Sequence, residues 1–361
     1  MRIYYFFMGL IMVYLLTGCQ VVPSVNINEI SMVQGLGFDK AEGNKMLGTI
    51  LFPEYKMNES STIRVLKAEG ETARKIIDKS KNEVEYPLVN GQLRTVLFGR
   101  EMAEEGIYPL IDTFGRSPSI GNLVQLAVVD GKATELLSMK TESEANIPLY
   151  LQEMLEQNIE DGELPSSDYT VFTYNFYDDG TDPYLPLIKK VKDNIKINGL
   201  AVFDKDQLKI TLPVNDMFIF KIIKEKFIMG AHQFKLNNDE FVVISNVKAS
   251  PKYKVTVKDS IPEFLIQVKM NARVLEYTSK KHTTVVPRVK KFEKEITKSI
   301  ERDAERIIKT FQENRVDPLG LGAQYEAHYR NFTLKKWEEM YPDVSVNVQV
   351  KLNIVHTGIV E

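Results

Sequence analysis

The chain has 361 residues, 43% hydrophobic and 26% charged, proportions of an ordinary folding chain that exclude extended disorder. Its 46 basic and 49 acidic residues leave a net charge of -3, too small for a global field that would draw nucleic acid. One cysteine, Cys19, excludes an internal disulfide, so stability has to come from packing.

The first segment reads as a leader. Arg2 and the N-terminus form a basic flank, Ile3 to Leu16 an apolar run, and Thr17-Gly18 a small-residue cleavage point. A membrane-spanning helix needs about 20 apolar residues, whereas this run is interrupted at Gly18 and ends in Gln20 without a basic stop-transfer flank. Leu16-Thr17-Gly18-Cys19 is similar to the bacterial lipobox, in which the thiol receives a diacylglyceryl group before cleavage leaves that cysteine as the new N-terminus. An ordinary secretory signal with an incidental cysteine, or a buried core cysteine, would not need a thiol directly behind a signal-like run. The expected organisation is a signal peptide over 1–18, lipidated Cys19 with a polar tether to residue 28, and then the body. That body has roughly 340 residues, enough for two or three domains at about 100 to 200 residues each.

Ile30 to Asp39 reads as a strand, Glu42-Gly43-Asn44 as a turn and Met46 to Phe52 as the returning strand. Gly35-x-Gly37 lacks the third glycine, the lysine or the Ser/Thr of a phosphate loop, which leaves close backbone packing as its reading. Helical spacing follows over Thr72 to Asn82, a strand over Leu93 to Phe98 and a helical pattern from Glu101 to Phe114 broken at Pro109. A strand over Asn122 to Val129 precedes helices over Lys132 to Met139 and Pro148 to Gln157. The aromatic segment Tyr169 to Tyr177, set between polar breaks at 160–166 and 178–186, reads as an edge strand or an excursion. Residues 29–197 are thus expected to form a mixed α/β domain.

A new unit begins near Asn198. It comprises strands Gly199 to Phe203 and Leu208 to Leu212, a helix over Val214 to Phe227, and strands Phe241 to Val247 and Tyr253 to Val257, giving a small domain over 198–258. In the last domain, 259–361, a long strand over Phe264 to Tyr277 ends in the basic turn Ser279 to His282. Val289, Phe292, Ile296, Ile300, Ala304, Ile307, Ile308 and Phe311 then share one face of a long helix. Asp317-Pro318-Leu319-Gly320-Leu321-Gly322 stops it, Tyr325 to Glu339 reads as a second helix, and Val344 to Ile354 as an alternating strand. The expected fold class is α+β, or mixed α/β, with three domains, each a β-sheet with packed helices.

Catalytic signatures are sparse. His232, His282, His328 and His356 are scattered, with no HExxH or His-x-His spacing, so neither metal nor cofactor is expected. His328 sits among helical aromatics and reads as a packing or surface residue. The serine-hydrolase pattern Gly-x-Ser-x-Gly does not occur. Glu104-Glu105 and Asp178-Asp179 lie beside turn or helix signals that suit solvent exposure rather than acid-base work. Lys280-Lys281-His282 with Arg288, Lys290 and Lys291 reads either as a contact for anionic headgroups or as a solvated face, and the interspersed Glu293 and Glu295 favour the latter. The chain is therefore expected not to be an enzyme.

Several blocks carry a family resemblance through their order and separation. After the lipobox come Glu29-Ile30 through Gly35-Leu36-Gly37-Phe38-Asp39, Gly70-Glu71-Thr72-Ala73, and Phe98-Gly99-Arg100-Glu101-Met102-Ala103-Glu104-Glu105-Gly106-Ile107. Asn198-Gly199-Leu200-Ala201-Val202-Phe203, the Asp317 to Gly322 turn, Trp337 and the terminal strand ending near Gly358 complete the set. The chain thereby resembles the C-subunit lipoproteins of spore germinant receptors, the Ger(x)C family, over almost its whole length. It departs from that family at Gly115-Arg116-Ser117-Pro118-Ser119, where similar proteins tend to place acidic residues around the proline.

The resemblance implies a three-domain, non-catalytic protein on the outer face of the spore inner membrane. It implies assembly with two integral-membrane subunits, of A and B type, attachment to lipid through diacylglyceryl-Cys19, and a part in the assembly or signalling of spore germination. Ligand recognition in that family is usually placed in the membrane subunits, so no nutrient site is assigned. The alternative, a lipid-anchored solute-binding protein of a transporter, requires two similar lobes around a polar cleft. An envelope hydrolase with an unrecognised carboxylate pair is the third reading.

Overall fold

The computed structural model describes residue 4 and residues 29–54, 62–118, 120–121, 123–139, 146–236, 240–258, 261–278 and 288–357. Cys19 and the basic turn Ser279 to His282 lie outside the described residues.

The expected first strand is two elements, β1 (Ser31–Met32) and β2 (Gly35–Lys40). β3 (Met46–Glu54) and β4 (Thr62–Gly70) continue from β2 as an antiparallel meander. Helix α1 (Ala73–Ser80), capped by the Thr72 side chain, leads to β5 (Leu88–Val89), which pairs with β1 in parallel. β6 (Thr95–Gly99) and β7 (Gln125–Val129) are buried throughout, the pattern of parallel strands covered on both faces. Between them run α2 (Arg100–Glu105) and α3 (Tyr108–Gly115), with Pro109 in the first turn of α3, where a missing N–H costs nothing. α4 (Ala133–Leu137), α5 (Ile147–Glu160) and α6 (Tyr169–Tyr177) precede β8 (Tyr184–Val191), and β9 (Asn194–Asp204) and β10 (Gln207–Pro213) follow as antiparallel strands.

These strands form one eight-stranded sheet in the order β10-β9-β8-β7-β6-β2-β3-β4. Side chains alternate between two cores. Val96, Phe98, Leu126 and Val128 face α1, α2, α3 and α6, whereas Leu97, Ala127 and Val129 face α4 and α5. Gly35 and Gly37 serve this packing, as expected: a Cβ on them would come within 2.6 Å of Pro148 Cγ and of Leu137 Cδ1 respectively.

Residues 169–177 are a helix, not an edge strand. Asp168 accepts the Val171 N–H at 2.8 Å as an N-cap, and Phe172 and Asn175 turn inward on one face. Tyr169, Phe172 and Phe176 have helical spacing; Phe172 is in the core on the α3 side, and half-buried Tyr169 and Phe176 pack against it.

The strands expected for a middle unit over 198–258 are shared between two sheets. β9 and β10 extend the eight-stranded sheet, and α7 (Val214–Lys224) stops at Glu225, so Phe227 belongs to β11 (Phe227–Ile228). β11, β12 (Ala231–Lys235), β13 (Phe241–Lys258) and β14 (Ile261–Thr278) join β15 (Ser345–Thr357) in a five-stranded sheet. Strand readings over Phe241 to Val247 and Tyr253 to Val257 merge into β13, which passes through register shifts between Ser245 and Lys248.

The long helix is α8 (Val289–Glu313), and the apolar face read from the sequence is the buried one. It also covers the edge of β15, where Glu301 and Glu293 accept the free N–H groups of Val350 and Ile354, each at 2.9 Å. The single helix expected over Tyr325 to Glu339 is two, α9 (Leu321–Glu326) and α10 (Leu334–Met340). The molecule is mixed α+β, with several sheets and helices packed on them.

Candidate functional site

The turn at 317–322 joins the two large sheets. Asp317 is buried, and its carboxylate accepts the N–H groups of Gly320 (2.9 Å) and Gly322 (2.8 Å). Its own N–H donates to the Asp182 carboxylate at 2.7 Å, while the Asp182 N–H donates to the Asp317 carbonyl at 3.0 Å. The second Asp182 oxygen accepts the Lys205 N–H at 3.2 Å. Two acids, one from each half of the chain, thus clip the segment before β8 to the segment after α8.

Glycine makes the close approach possible. Gly180 has φ +85°, and a Cβ there would lie 2.7 Å from the Gly322 carbonyl carbon; on Gly322 it would lie 2.5 Å from Trp337 Nε1. Burial pushes the Asp182 carboxyl up to about 6 and the Asp317 carboxyl up to about 7, although backbone N–H groups oppose the shift. Burial holds the Lys224 ammonium below its ordinary value, against the attraction of Asp317. A hollow of about 370 Å³ lies beside the clip, walled by Thr181, Lys205, Arg315, Trp337 and Tyr341.

Among the described residues, a concavity of about 1000 Å³ forms an open groove between α3 and α6. It holds Gly115, Arg116, Ser117 and Pro118. Arg116 Nε reaches Asp112 at 2.9 Å, and Tyr169, Tyr174 and Tyr177 form the opposite wall. These groups suit binding through ring faces and hydrogen bonds.

The other sequence candidates do not converge. His232 stacks on Phe218 with ring centroids 4.4 Å apart, and burial pushes it down to about 4, so it is a neutral packing residue. His328 is exposed, its Nδ1 at 2.8 Å from the Gln324 carbonyl. His282 and the His356 side chain lie outside the described residues. Glu104 and Glu105 are exposed and pair with Arg100 and Lys40; Asp179 is exposed, but half-buried Asp178 accepts the Thr181 hydroxyl at 2.6 Å. Among the described residues no group of His, Cys, Asp and Glu could hold a metal ion.

The described part of the basic run is neutralised. Glu240 takes Arg288 at 2.9 Å and Lys291 at 3.1 Å, and Glu293 takes Lys290 at 2.8 Å. Sequence reasoning missed Gly180, Asp182 and Lys221. The last is a buried lysine on α7 whose ammonium donates to the Ile159 and Leu164 carbonyls at 3.0 and 2.6 Å. One signal was available, a lysine inside the apolar run Met217 to Ile223.

Comparison with known proteins matches this architecture along the chain. Residues 23–190 match the family described as spore germination protein N-terminal domain, and residues 198–358 match spore germination B3/GerAC-like, C-terminal. Spore germination protein GerQC of Bacillus cereus is 30% identical over 354 residues, covering 98% of each chain. The putative spore germination protein YfkR of Bacillus subtilis (strain 168) is 24% identical, covering 99% of this chain and 97% of its own. The crystal structure of the GerBC protein aligns with a TM-score of 0.56 at 16% identity, over 91% of this chain and all of that one, a likeness of fold. The chain belongs to the Ger(x)C family of spore germination proteins.

Proposed function

We propose that the chain is a non-catalytic, lipid-anchored subunit of a nutrient germinant receptor, acting in the assembly or signalling of spore germination. Diacylglyceryl-Cys19 tethers the body to the outer face of the spore inner membrane, beside two integral-membrane subunits of A and B type. The observation that carries this reading is the similarity to GerQC, which runs end to end rather than over one domain. The lipobox ahead of the body supports the anchor, since two acyl chains supply the two signals that stable attachment needs.

The test is a Cys19→Ala strain. The body is expected to stay folded while its retention on the membrane and the nutrient response both fall. Undiminished retention and response would overturn the reading. Calorimetric binding of one amino acid or sugar to the purified protein would instead favour a transporter's solute-binding protein.

A further inference from the structure

The five-stranded sheet has two unlike faces. Phe264, Ile266, Val268, Met270, Ala272 and Val274 of β14 are buried in the core that includes α8. The residues that alternate with them form the opposite face, which on three adjacent strands carries six cations among neutral residues: Lys248, Lys252 and Lys254 on β13, Lys269 and Arg273 on β14, Lys351 on β15. Ser250, Lys269 and Lys351 form one row, so two ammonium groups stand directly opposed on neighbouring strands. Like charges in that position disfavour the sheet.

The flanking rows, Lys252-Gln267-Gln349 and Lys248-Asn271-Asn353, add only neutral amides that bond to one another at 3.3 and 3.2 Å. Carboxylates stand at the ends, where Glu263 takes Lys258 at 3.3 Å and Glu276 takes the Thr278 hydroxyl. Among the described residues Lys258 is the face's ion-paired cation; Lys248, Lys252, Lys254, Lys269, Arg273 and Lys351 are in no ion pair. At one end a hollow of about 510 Å³ places Lys248 and Arg273 beside the exposed apolar side chains Ile228 (59% exposed), Met229 (53%) and Val355 (50%).

We propose that this face docks on an anionic phospholipid surface. A sheet face presents its cations side by side, and strands about 4.8 Å apart suit a layer of phosphates better than a single anion. Lysine predominates, and lysine is depleted from the cores of protein interfaces while basic segments are drawn to anionic headgroups. The neighbouring Ile228, Met229 and Val355 supply the apolar contact that interfacial binding adds to charge. Phosphates between Lys269 and Lys351 would relieve the repulsion that the fold tolerates there. The proposal depends neither on acylation of Cys19 nor on the receptor reading.

The full chain, held in vesicles of phosphatidylcholine alone or mixed with phosphatidylglycerol, is treated with an amine-acetylating reagent and mapped by mass spectrometry. Modification of Lys252, Lys254, Lys269 and Lys351 is expected to slow by about fivefold in the anionic vesicles. The exposed Lys190 and Lys192 at the β8–β9 turn serve as internal references for the general effect of the surface charge. A Lys269→Gln/Lys351→Gln variant, which removes a repulsive pair and so is expected to fold, should lose the protection of Lys252 and Lys254. Equal rates in both vesicles, or unchanged protection in the variant, would overturn the proposal. So would protection seen in native membranes but not with lipid alone, which would assign the face to a protein partner. The Cys19→Ala outcome bears on the receptor reading and leaves this measurement intact.

Discussion

At Gly180 the two halves of the molecule meet backbone to backbone, with Gly180 O accepting the Ala323 N–H at 3.2 Å. Gly180→Ala adds a Cβ against the Gly322 carbonyl carbon and holds alanine at φ +85°. A loss of about 1–3 kcal/mol is expected, read as a lower urea midpoint. The acids at the same junction give a pH signature. Asp182 and Asp317, at about 6 and about 7, lie above the ordinary carboxylate value near 4, so the folded state keeps protons that the unfolded chain has released. Their contribution is present in full below about pH 4 and is lost as pH rises through about 7.

Glu240 has the opposite sign. Burial works against its ionised form, but hydrogen bonds from Lys291, Arg288 and Tyr277 prevail and hold it at about 2. Its contribution is present above about pH 4.5 and lost as pH falls towards 2. His232, held neutral at about 4, adds stability as pH rises towards its ordinary value near 6.5 and so opposes the acids over the same range. The clip is therefore read as a difference: Asp317→Asn is expected to lose less urea midpoint than the unchanged protein between about pH 4 and about pH 7. Parallel pH profiles for the two proteins would exclude a proton-holding Asp317 at the clip. The turn itself was readable as a helix stop, whereas the partner acid Asp182 was not, because nothing local at 178–186 marks a residue whose contacts lie 23 and 135 positions away.

Among the elements, α8 was the most legible. A strongly periodic apolar face over many turns fixes both the helix and the side that is buried. Ile300 lies at its centre, fully buried among residues of the five-stranded sheet core. Ile300→Ala is expected to cost about 2–5 kcal/mol and lower the thermal midpoint, without moving function separately from stability. α6 shows the reverse case. Tyr, Thr, Val and Phe carry strand propensity, and over nine residues their run is dense enough to satisfy either period. What decides is the Asp168 cap and the fit of Phe172 against Phe203 in an edge-to-face contact, the second being tertiary and invisible locally. An Asp168→Ala change should fray α6 by about 1 kcal/mol. Altered chemical shifts should then be confined to the α3–α6 groove.

Across the whole molecule, the family matches divide at 190 and 198, and strand pairing crosses that division. The β8–β9 hairpin runs through it, with Lys190 opposite Ile195 and Ile188 opposite Ile197. One core is continuous from Leu97, Val129 and Tyr184 of the eight-stranded sheet to Phe220 of α7, Phe264 of β14 and Phe311 of α8. Phe220 meets both Tyr184 and Phe311 edge to face, and Asp216 holds Arg306 through two bonds of 2.7 and 2.9 Å, so α7 ties both halves together. Unfolding is therefore expected to be a single cooperative transition. Fluorescence of Trp337, packed against Phe264, Tyr325 and Tyr341, reports the C-terminal half. Its thermal midpoint should coincide with that of the far-ultraviolet circular dichroism, which reports both halves. A chain cut at residue 197 would lose β10, α7 and the end of β9 with Leu200 to Val202, and leave β8 poorly paired. It should be insoluble, whereas two separable transitions in the intact protein would show that the shared core does not couple the sheets.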